Sequence, residues 1–297
     1  MAAMKPGDVI IFEAGDSWLS KAIAKLTDSN VSHAAMRYTG GRMVEMKSGG
    51  IRVNGCYETL RGEKAYLLRL SPEKDPTPLI AAADQYIREK TIYDFPDLVF
   101  FAGLLIYRGI RPTRPWQNVA DMVINAACAV LDRALNRIIH YGSKAPFMVC
   151  SQLVYQCYLD CGAEYEIRLQ DALLQSAVLE RISIADLAHD LPQSERLFHQ
   201  DPAFKIHMDI ESMAHALCDA ADSTDPADPI KTKRLGETDL YGTVSYAKRF
   251  MELLERIVEQ SEIDLPLPAL FVAPSDLLSH AVNLKQYDTA VLSRRKG

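Results

Sequence analysis

The sequence has little of what several specialised classes of protein need. Only six of its 297 residues are cysteine, and no two of them have the CxxC spacing typical of zinc sites and thioredoxin-like redox motifs. This share of cysteine is too low for a disulfide scaffold, so we expect reduced thiols. The histidines also lack the spacing of a metal signature, and we expect neither a metal ion nor a cofactor.

Long apolar runs and an excess of positive charge are missing as well. The most apolar stretch, residues 98–107, is too short to cross a bilayer as a helix, which needs about 20 residues. We interpret it as part of a buried helix, with a helix that dips into a membrane surface as the less favoured alternative. Because 33 basic residues stand against 39 acidic ones, the net charge of −6 gives no global attraction to nucleic acid.

The first residues do not have the pattern of a secretory signal. The stretch "MAAMKPGDVIIFEAGD" has one lysine and only a short apolar run before Glu13, which does not form the apolar core of a signal peptide. We therefore expect a cytoplasmic protein, or one delivered by a route that does not depend on a signal peptide.

Short β-branched runs separated by glycine predict a small sheet in the first part of the chain. Strands are predicted at 7–14 and 65–71, and residues 31–53 are predicted to form a hairpin and a further strand, with a helix at 17–28. Apolar residues with a period near 3.6 then predict helices at 79–90, about 95–108, 116–142 and about 149–161. The mixture predicts an α+β protein.

The character of the chain changes at residue 163. Residues 163–265 have a helical and acidic pattern, and a polar stretch near 222–239 with two Asp-Pro steps predicts a mobile loop. We interpret 163–265 as an insertion, and residues 1–162 plus 266–297 as one domain. Whether the insertion covers a cleft or offers a surface to a protein partner stays open.

The stretch "MVCSQLVYQC" places Cys150 at the start of a predicted helix. Free backbone N–H groups and the helix dipole favour a thiolate at this position and can stabilise an oxyanion. Taken by itself, the residue is more typical of a buried core thiol, because cysteine is among the most buried residue types. Cys157 and Cys161 share its side of the helix, and we expect both to belong to the core.

A cysteine nucleophile needs an imidazole, and His33 is the candidate base. It lies in a predicted strand, "VSHAAM", between small residues that leave room around the ring. The alternative is an ordinary strand histidine. The patterns around the other histidines indicate surface, interhelix or helix-terminal positions.

Glu45, in the next predicted strand, is the candidate for the group that orients the imidazole. A two-residue turn at Gly40-Gly41 pairs residue 33 with residue 48 and places Glu45 on the opposite face of the sheet. A three-residue loop pairs residue 33 with residue 47, which makes Glu45 a diagonal neighbour on the same face as His33. The sequence permits both turns.

Six segments of the chain belong together in this order: "KPGDVIIF", "VSHAAMRY", "VEMKSGGIRV", "IYDFPDLV", "CSQLVYQCY" and "FVAPSDLLSH". Together they resemble the circularly permuted papain-like cysteine hydrolases, in particular the YiiX-like branch of the NlpC-type amidase superfamily. The resemblance covers roughly residues 4–162 and 266–290. The base precedes the cysteine, and this reversed order is the mark of the permuted group.

The resemblance implies a permuted papain-like fold, in which a small antiparallel sheet or barrel packs on helices, with a large helical insertion. It implies that Cys150 is the nucleophile, His33 the general base and Glu45 the third polar residue, and that Tyr93 lies near the substrate. The implied activity is that of a cysteine peptidase or amidase, which hydrolyses a peptidoglycan-type peptide or a small amide through an acyl-enzyme.

Two other functions stay open. The lecithin:retinol acyltransferase-like enzymes are also permuted papain-like proteins and move acyl chains between lipids, and a thioesterase belongs to the same chemical class. Their orienting residue is usually a second histidine, so Glu45 argues against them. The other alternative is a binding module without catalysis, which has no need of Cys150, His33 and Glu45 together.

Overall fold

The computed structural model describes residues 4–47, 50–56, 64–89, 99, 102–103, 114–141, 149–170, 241–261 and 272–291. These residues form a mixed α+β structure, as expected, with one antiparallel sheet and helices packed on it. Tyr93, most of the predicted helix at 95–108 and the predicted loop near 222–239 lie outside the described residues.

The strands and helices between residues 7 and 162 that the structure describes lie where the sequence predicts them, to within about two residues at their ends. In the described ranges the elements are β1 (Val9–Glu13), α1 (Trp18–Leu26), β2 (Val31–Arg37), β3 (Arg42–Lys47), β4 (Gly50–Gly55), β5 (Lys64–Leu70), α2 (Thr77–Glu89), α3 (Arg114–Tyr141), α4 (Cys150–Leu159), α5 (Tyr241–Ser261), a π-helical turn (Asp276–His280) and β6 (Leu284–Val291).

The six strands form an open sheet in the order β4–β3–β2–β1–β5–β6, and every neighbouring pair is antiparallel. β4 and β6 are its edges, so the expected sheet is found in its open form and not as a barrel. β1 is buried on both faces, because Val9 and Ile11 pack in one apolar cluster while Ile10 and Phe12 pack in another.

The β2–β3 hairpin has the three-residue loop, the second of the two turns that the sequence permits. Ala35 is opposite Glu45 in the register, so Glu45 is a diagonal neighbour of His33 on the same face. In the loop, Gly40 and Gly41 have φ values of +61° and +78°. A side chain is strained in this region, whereas glycine adopts it without a steric penalty.

Helix α4 packs along the sheet from the start of β2 to the start of β1. Its apolar side, with Val154 and Cys157 fully buried, lies against β2 and β3. Near the end of the helix, the Tyr158 hydroxyl donates to the Gly7 carbonyl. Gly162 follows the helix with a φ of +90°, a conformation that is typical of a glycine just after a helix end. This packing fixes where the first residue of α4 lies relative to β2.

The segment 272–291 completes the core beside α4. The Ser151 hydroxyl, in the first turn of α4, donates to the Val272 carbonyl at 2.6 Å. Residues 163–170, the described start of the predicted insertion, form backbone hydrogen bonds with this segment. Ser275 precedes the π-helical turn, and its side chain makes no capping hydrogen bond.

Helices α3 and α5 pack against each other, and in the described part of the chain this is the principal contact of both. Phe250 is fully buried between them, and Arg249 forms an ion pair with Asp132. A helix of the predicted insertion thus packs on a helix of the predicted main domain, and the boundaries of these domains stay a prediction. Neither α3 nor any other described helix is apolar enough over a sufficient length to cross a membrane.

Candidate active site

Cys150 is the first residue of α4, and its side chain is half-buried. Val149 precedes it in an extended conformation without a side-chain capping bond. The first hydrogen bond of the helix runs from the Leu153 N–H to the Val149 carbonyl at 2.9 Å, so the N–H groups before Leu153 have no partner within the helix. Backbone donors are therefore available at the end of α4 that carries the thiol.

His33 lies between Cys150 and Glu45. Its Nε2 is 2.7 Å from Glu45 Oε2, and Cys150 is within hydrogen-bonding reach of the ring. Because Nε2 contacts the carboxylate, Nδ1 is the ring nitrogen available to the thiol. The Phe12 ring packs beside the imidazole at a centroid distance of 5.4 Å. The His33 side chain is 21% exposed, so the site can be reached from solvent.

Glu45 is fully buried and has donors on both of its carboxylate oxygens. Oε2 contacts His33, whereas Oε1 accepts a hydrogen bond from Asn54 Nδ2 at 2.6 Å and lies 3.2 Å from Lys47 Nζ. A buried carboxylate is costly unless it is paired and hydrogen-bonded. These three partners stabilise the charge of Glu45 in the interior.

The pKa values of His33 and Glu45 move in opposite directions because each stabilises the charge of the other. Burial by itself lowers the pKa of His33, but the interactions of the ring with Cys150 and Glu45 outweigh the effect of burial and raise this pKa to about 9. Burial by itself raises the pKa of Glu45, but His33, with Asn54 and Lys47, lowers it to about 2. At neutral pH the pair is an imidazolium and a carboxylate.

The remaining thiols in the described residues have the properties of ordinary core cysteines. Burial raises the pKa of Cys157, which lies in the core as predicted. Cys161 is half-buried at the edge of the same core, and burial together with Asp160 raises its pKa to about 11. Burial also raises the pKa of Cys128, to about 12, and that of Cys56.

Three of the four residues that the sequence predicts for the site are brought together. Cys150, His33 and Glu45 form one continuous chain of contacts from the start of α4 through β2 to β3. The fourth, Tyr93, lies outside the described residues, and its place near the substrate stays a prediction.

Asn54 and Lys47 were not predicted as part of the site. A signal for Asn54 exists in the sequence, because the glycine break after Lys47 is compatible with a tight turn. The structure pairs Lys47 with Gly50, which places Asn54 opposite Met43 and on the same face as Glu45. The same strand parity that makes Glu45 a neighbour of His33 thus makes Asn54 a neighbour of the carboxylate.

In the described ranges, no group of three or more histidine, cysteine, aspartate or glutamate side chains is arranged to hold a metal ion. Comparison with known protein families, with curated proteins and with solved structures finds no match for this chain. The function is therefore inferred from the site. A half-exposed thiol, an imidazole and a buried carboxylate in this order can form a nucleophile and transfer its proton.

Proposed function

We propose that the protein is a cysteine hydrolase of the permuted papain-like type that cleaves an amide bond in a peptidoglycan-type peptide or a small amide. Cys150 is the nucleophile, His33 the general base and Glu45 the orienting carboxylate. The observation that supports this most is the His33 ring, which has one nitrogen on a buried carboxylate and the other available to a thiol at a helix start. The same spatial arrangement of nucleophile, base and orienting group occurs on unrelated folds that transfer acyl groups.

Acylation forms a covalent bond between Cys150 and the substrate. Before the substrate binds, His33 holds the proton of the Cys150 thiol, and the thiolate attacks the carbonyl carbon of the amide. The electron pair moves to the carbonyl oxygen, which the free N–H groups at the start of α4 stabilise. When the intermediate collapses, the C–N bond breaks, and the imidazolium gives its proton to the nitrogen that leaves as an amine. The acyl group remains on Sγ as a thioester.

Deacylation restores the free enzyme. The neutral His33 takes a proton from a water molecule, whose oxygen attacks the thioester carbonyl. The intermediate expels the Cys150 sulfur as a thiolate, the acid is released, and His33 keeps the proton, which restores the starting pair. Because its pKa is about 2, Glu45 stays ionised throughout and stabilises the imidazolium without taking its proton.

Alkylation of the native protein tests the reactive pair. With limiting iodoacetamide near neutral pH, we expect Cys150 to be modified about a hundredfold faster than Cys161, because the thiolate is the reacting species. Cys161 is the matched control, since it is also half-buried and follows the same helix but has a raised pKa. Peptide mapping by mass spectrometry measures both rates, and His33→Ala is expected to remove the preference. Equal labelling of the two thiols contradicts the proposal.

The fate of an acyl group distinguishes the proposed hydrolase from the other functions. We expect p-nitrophenyl acetate to acetylate Cys150 and the acetyl group to be lost in buffer alone, with no acetylation in Cys150→Ala. An acetyl group that is stable in buffer but is removed by an added lipid or amine indicates an acyltransferase. The absence of acetylation in the native protein indicates a binding module.

A further inference from the structure

Glu45 Oε1, the carboxylate oxygen that does not contact His33, is held by two side chains. Asn54 Nδ2 lies 2.6 Å from it and Lys47 Nζ lies 3.2 Å from it. A carboxylate can only accept hydrogen bonds, so the amide of Asn54 must present its NH₂ group to Glu45. This requirement fixes the orientation of the amide.

A glutamate side chain has several rotatable bonds, and one contact to an imidazole does not determine which way its carboxylate faces. Asn54, in the neighbouring strand β4, adds a second contact that restrains the carboxylate. Because β3 and β4 form one ladder, with Glu45 opposite Arg52 and Asn54 opposite Met43, the distance between the two side chains is set by the sheet. Groups held by rigid elements and a surrounding layer of hydrogen bonds keep the geometry that catalysis needs.

We propose that Asn54 is a positioning residue of the site: its amide holds Glu45 Oε1 so that Oε2 stays on His33 Nε2. This inference rests on the proposed function of Cys150, His33 and Glu45. Lys47 contacts the same oxygen but acts in the opposite direction on the imidazole, because its positive charge partly neutralises the carboxylate that His33 faces. Asn54 is neutral, so it orients the carboxylate without reducing its charge.

The charged and titratable groups around this carboxylate come from several elements. Lys47 is 42% exposed, so salt screens its effect, whereas Glu45 is fully buried. Strand β4 carries Arg52 directly opposite Glu45. The other groups are His33 from β2, Lys47 from β3, Cys56 just after β4 with Arg37 beside it, and Cys150 from α4.

Two substitutions are expected to change the pKa of His33 in opposite directions. In Asn54→Leu the carboxylate loses its neutral donor and turns toward Lys47, so we expect the pKa of His33 to fall by about one pH unit, the scale of one lost charge-assisted hydrogen bond. In Lys47→Met a competing cation is removed, so we expect that pKa to rise by a few tenths of a pH unit, as is typical of a partly exposed charge. Titration of ¹³C-labelled histidine by NMR measures both, with His33→Gln to assign the signal.

The matched control is Asn30→Leu, because Asn30 Nδ2 also donates to a glutamate, Glu13 Oε1, at 3.1 Å in an exposed position where β1 ends and β2 begins. We expect this variant to leave the pKa of His33 unchanged. If Asn54→Leu does not fold, Asn54→Ala has the same expected result. A fall in the pKa of His33 in both Asn54→Leu and Lys47→Met indicates general loosening of the sheet and overturns the inference.

The two proposals fail in different ways. If the native protein shows no preferential alkylation of Cys150, the proposed function fails. If Cys150 is preferentially alkylated but Asn54→Leu leaves both the His33 titration and the alkylation rate as in the native protein, only the positioning role of Asn54 fails.

Discussion

Among single residues, Glu45 and His33 connect the charge of the site to the pH dependence of folding. The pKa of Glu45 in the folded protein, about 2, is below its ordinary value of 4.5. Its contribution to stability is therefore present above pH 4.5 and is lost as the pH falls through 2. The pKa of His33, about 9, is above its ordinary value of 6.5, so its contribution is present below pH 6.5 and is lost as the pH rises through 9.

We therefore predict that this pair stabilises the protein most between about pH 4.5 and 6.5. In that window, the free energy of unfolding of the native protein should exceed that of the double variant His33→Gln/Glu45→Gln by an amount on the order of 2 kcal/mol. The difference should decrease on both sides of the window, which urea unfolding at several pH values can measure. A difference that does not vary with pH contradicts the prediction.

The surface ion pair between Lys5 and Glu73 provides a control for this experiment. Both side chains are about half exposed, and solvent and salt weaken such pairs. Lys5→Met is therefore expected to leave the shape of the stability curve unchanged across the same pH range.

The residues of the site differ in how far the sequence predicts them. Cys150 and His33 can be predicted as site residues because each lies in a recognisable local pattern. Glu45 can be predicted because the hairpin allows only two registers, and one of them places its side chain on the same face of the sheet as His33. Asn54 has no comparable local pattern. Its role depends on the register of β3 with β4 and on the length of its side chain, both of which become visible only when the strands are paired.

Among the elements, strands β1, β5 and β6 are joined by the buried carboxylate of Asp8. Arg69 contacts both of its oxygens, at 2.6 and 2.7 Å, and the Tyr287 hydroxyl donates to it at 2.6 Å. The guanidinium of Arg69 also lies over the Tyr287 ring. A bidentate pair of this kind is specific in geometry and keeps the buried charge satisfied.

Arg69→Leu is expected to lower the free energy of unfolding by about 3–5 kcal/mol, because it leaves a buried carboxylate without its counter-ion. The double variant Asp8→Asn/Arg69→Leu should be more stable than Arg69→Leu alone, since the uncompensated charge is then absent. Urea unfolding measures all three proteins. If the double variant is no more stable than Arg69→Leu, the unpaired charge of Asp8 is not the cause of the lost stability. The preference of iodoacetamide for Cys150 should persist in the folded variants.

The last strand illustrates why some elements are harder to predict than others. The sequence indicates apolar, strand-like character over 268–287, whereas β6 is Leu284–Val291. Lys285 and Gln286 are exposed on this edge strand, so the alternation that identifies a half-buried strand is weak there. The π-helical turn Asp276–His280 is shorter than the windows in which a helical period can be recognised, so only Ser275, as a possible N-cap, predicts a short helix there.

In the molecule as a whole, the α3–α5 pair and the sheet with α4 are two centres of packing within the described residues. The apolar period of α3 shows that the helix has a buried side, but it does not identify α5 as the partner. Contacts such as that between Cys128 Sγ and the Tyr246 carbonyl join residues far apart in the sequence. No local pattern encodes such a contact, which is why the relation of the predicted insertion to the rest of the chain could not be derived.

Phe250→Ala tests whether the two centres unfold separately. The side chain is fully buried, so its truncation is expected to cost about 3–5 kcal/mol locally. Hydrogen exchange measured by mass spectrometry should then increase in α3 and α5 and remain as in the native protein in β1, β2 and α4. Increased exchange throughout the sheet indicates one cooperative unit and contradicts the prediction.

The hydrogen bond from Ser151 to Val272 has a consequence for the order of events during synthesis. The two residues are 121 positions apart in the chain. At about 5–20 residues per second, translation takes roughly 6–24 s to pass from one to the other. During this interval the thiol and its base have both been synthesised, but the segment that contains Val272 has not. The nascent chain therefore contains every member of the proposed catalytic group before the contact between Ser151 and Val272 can form.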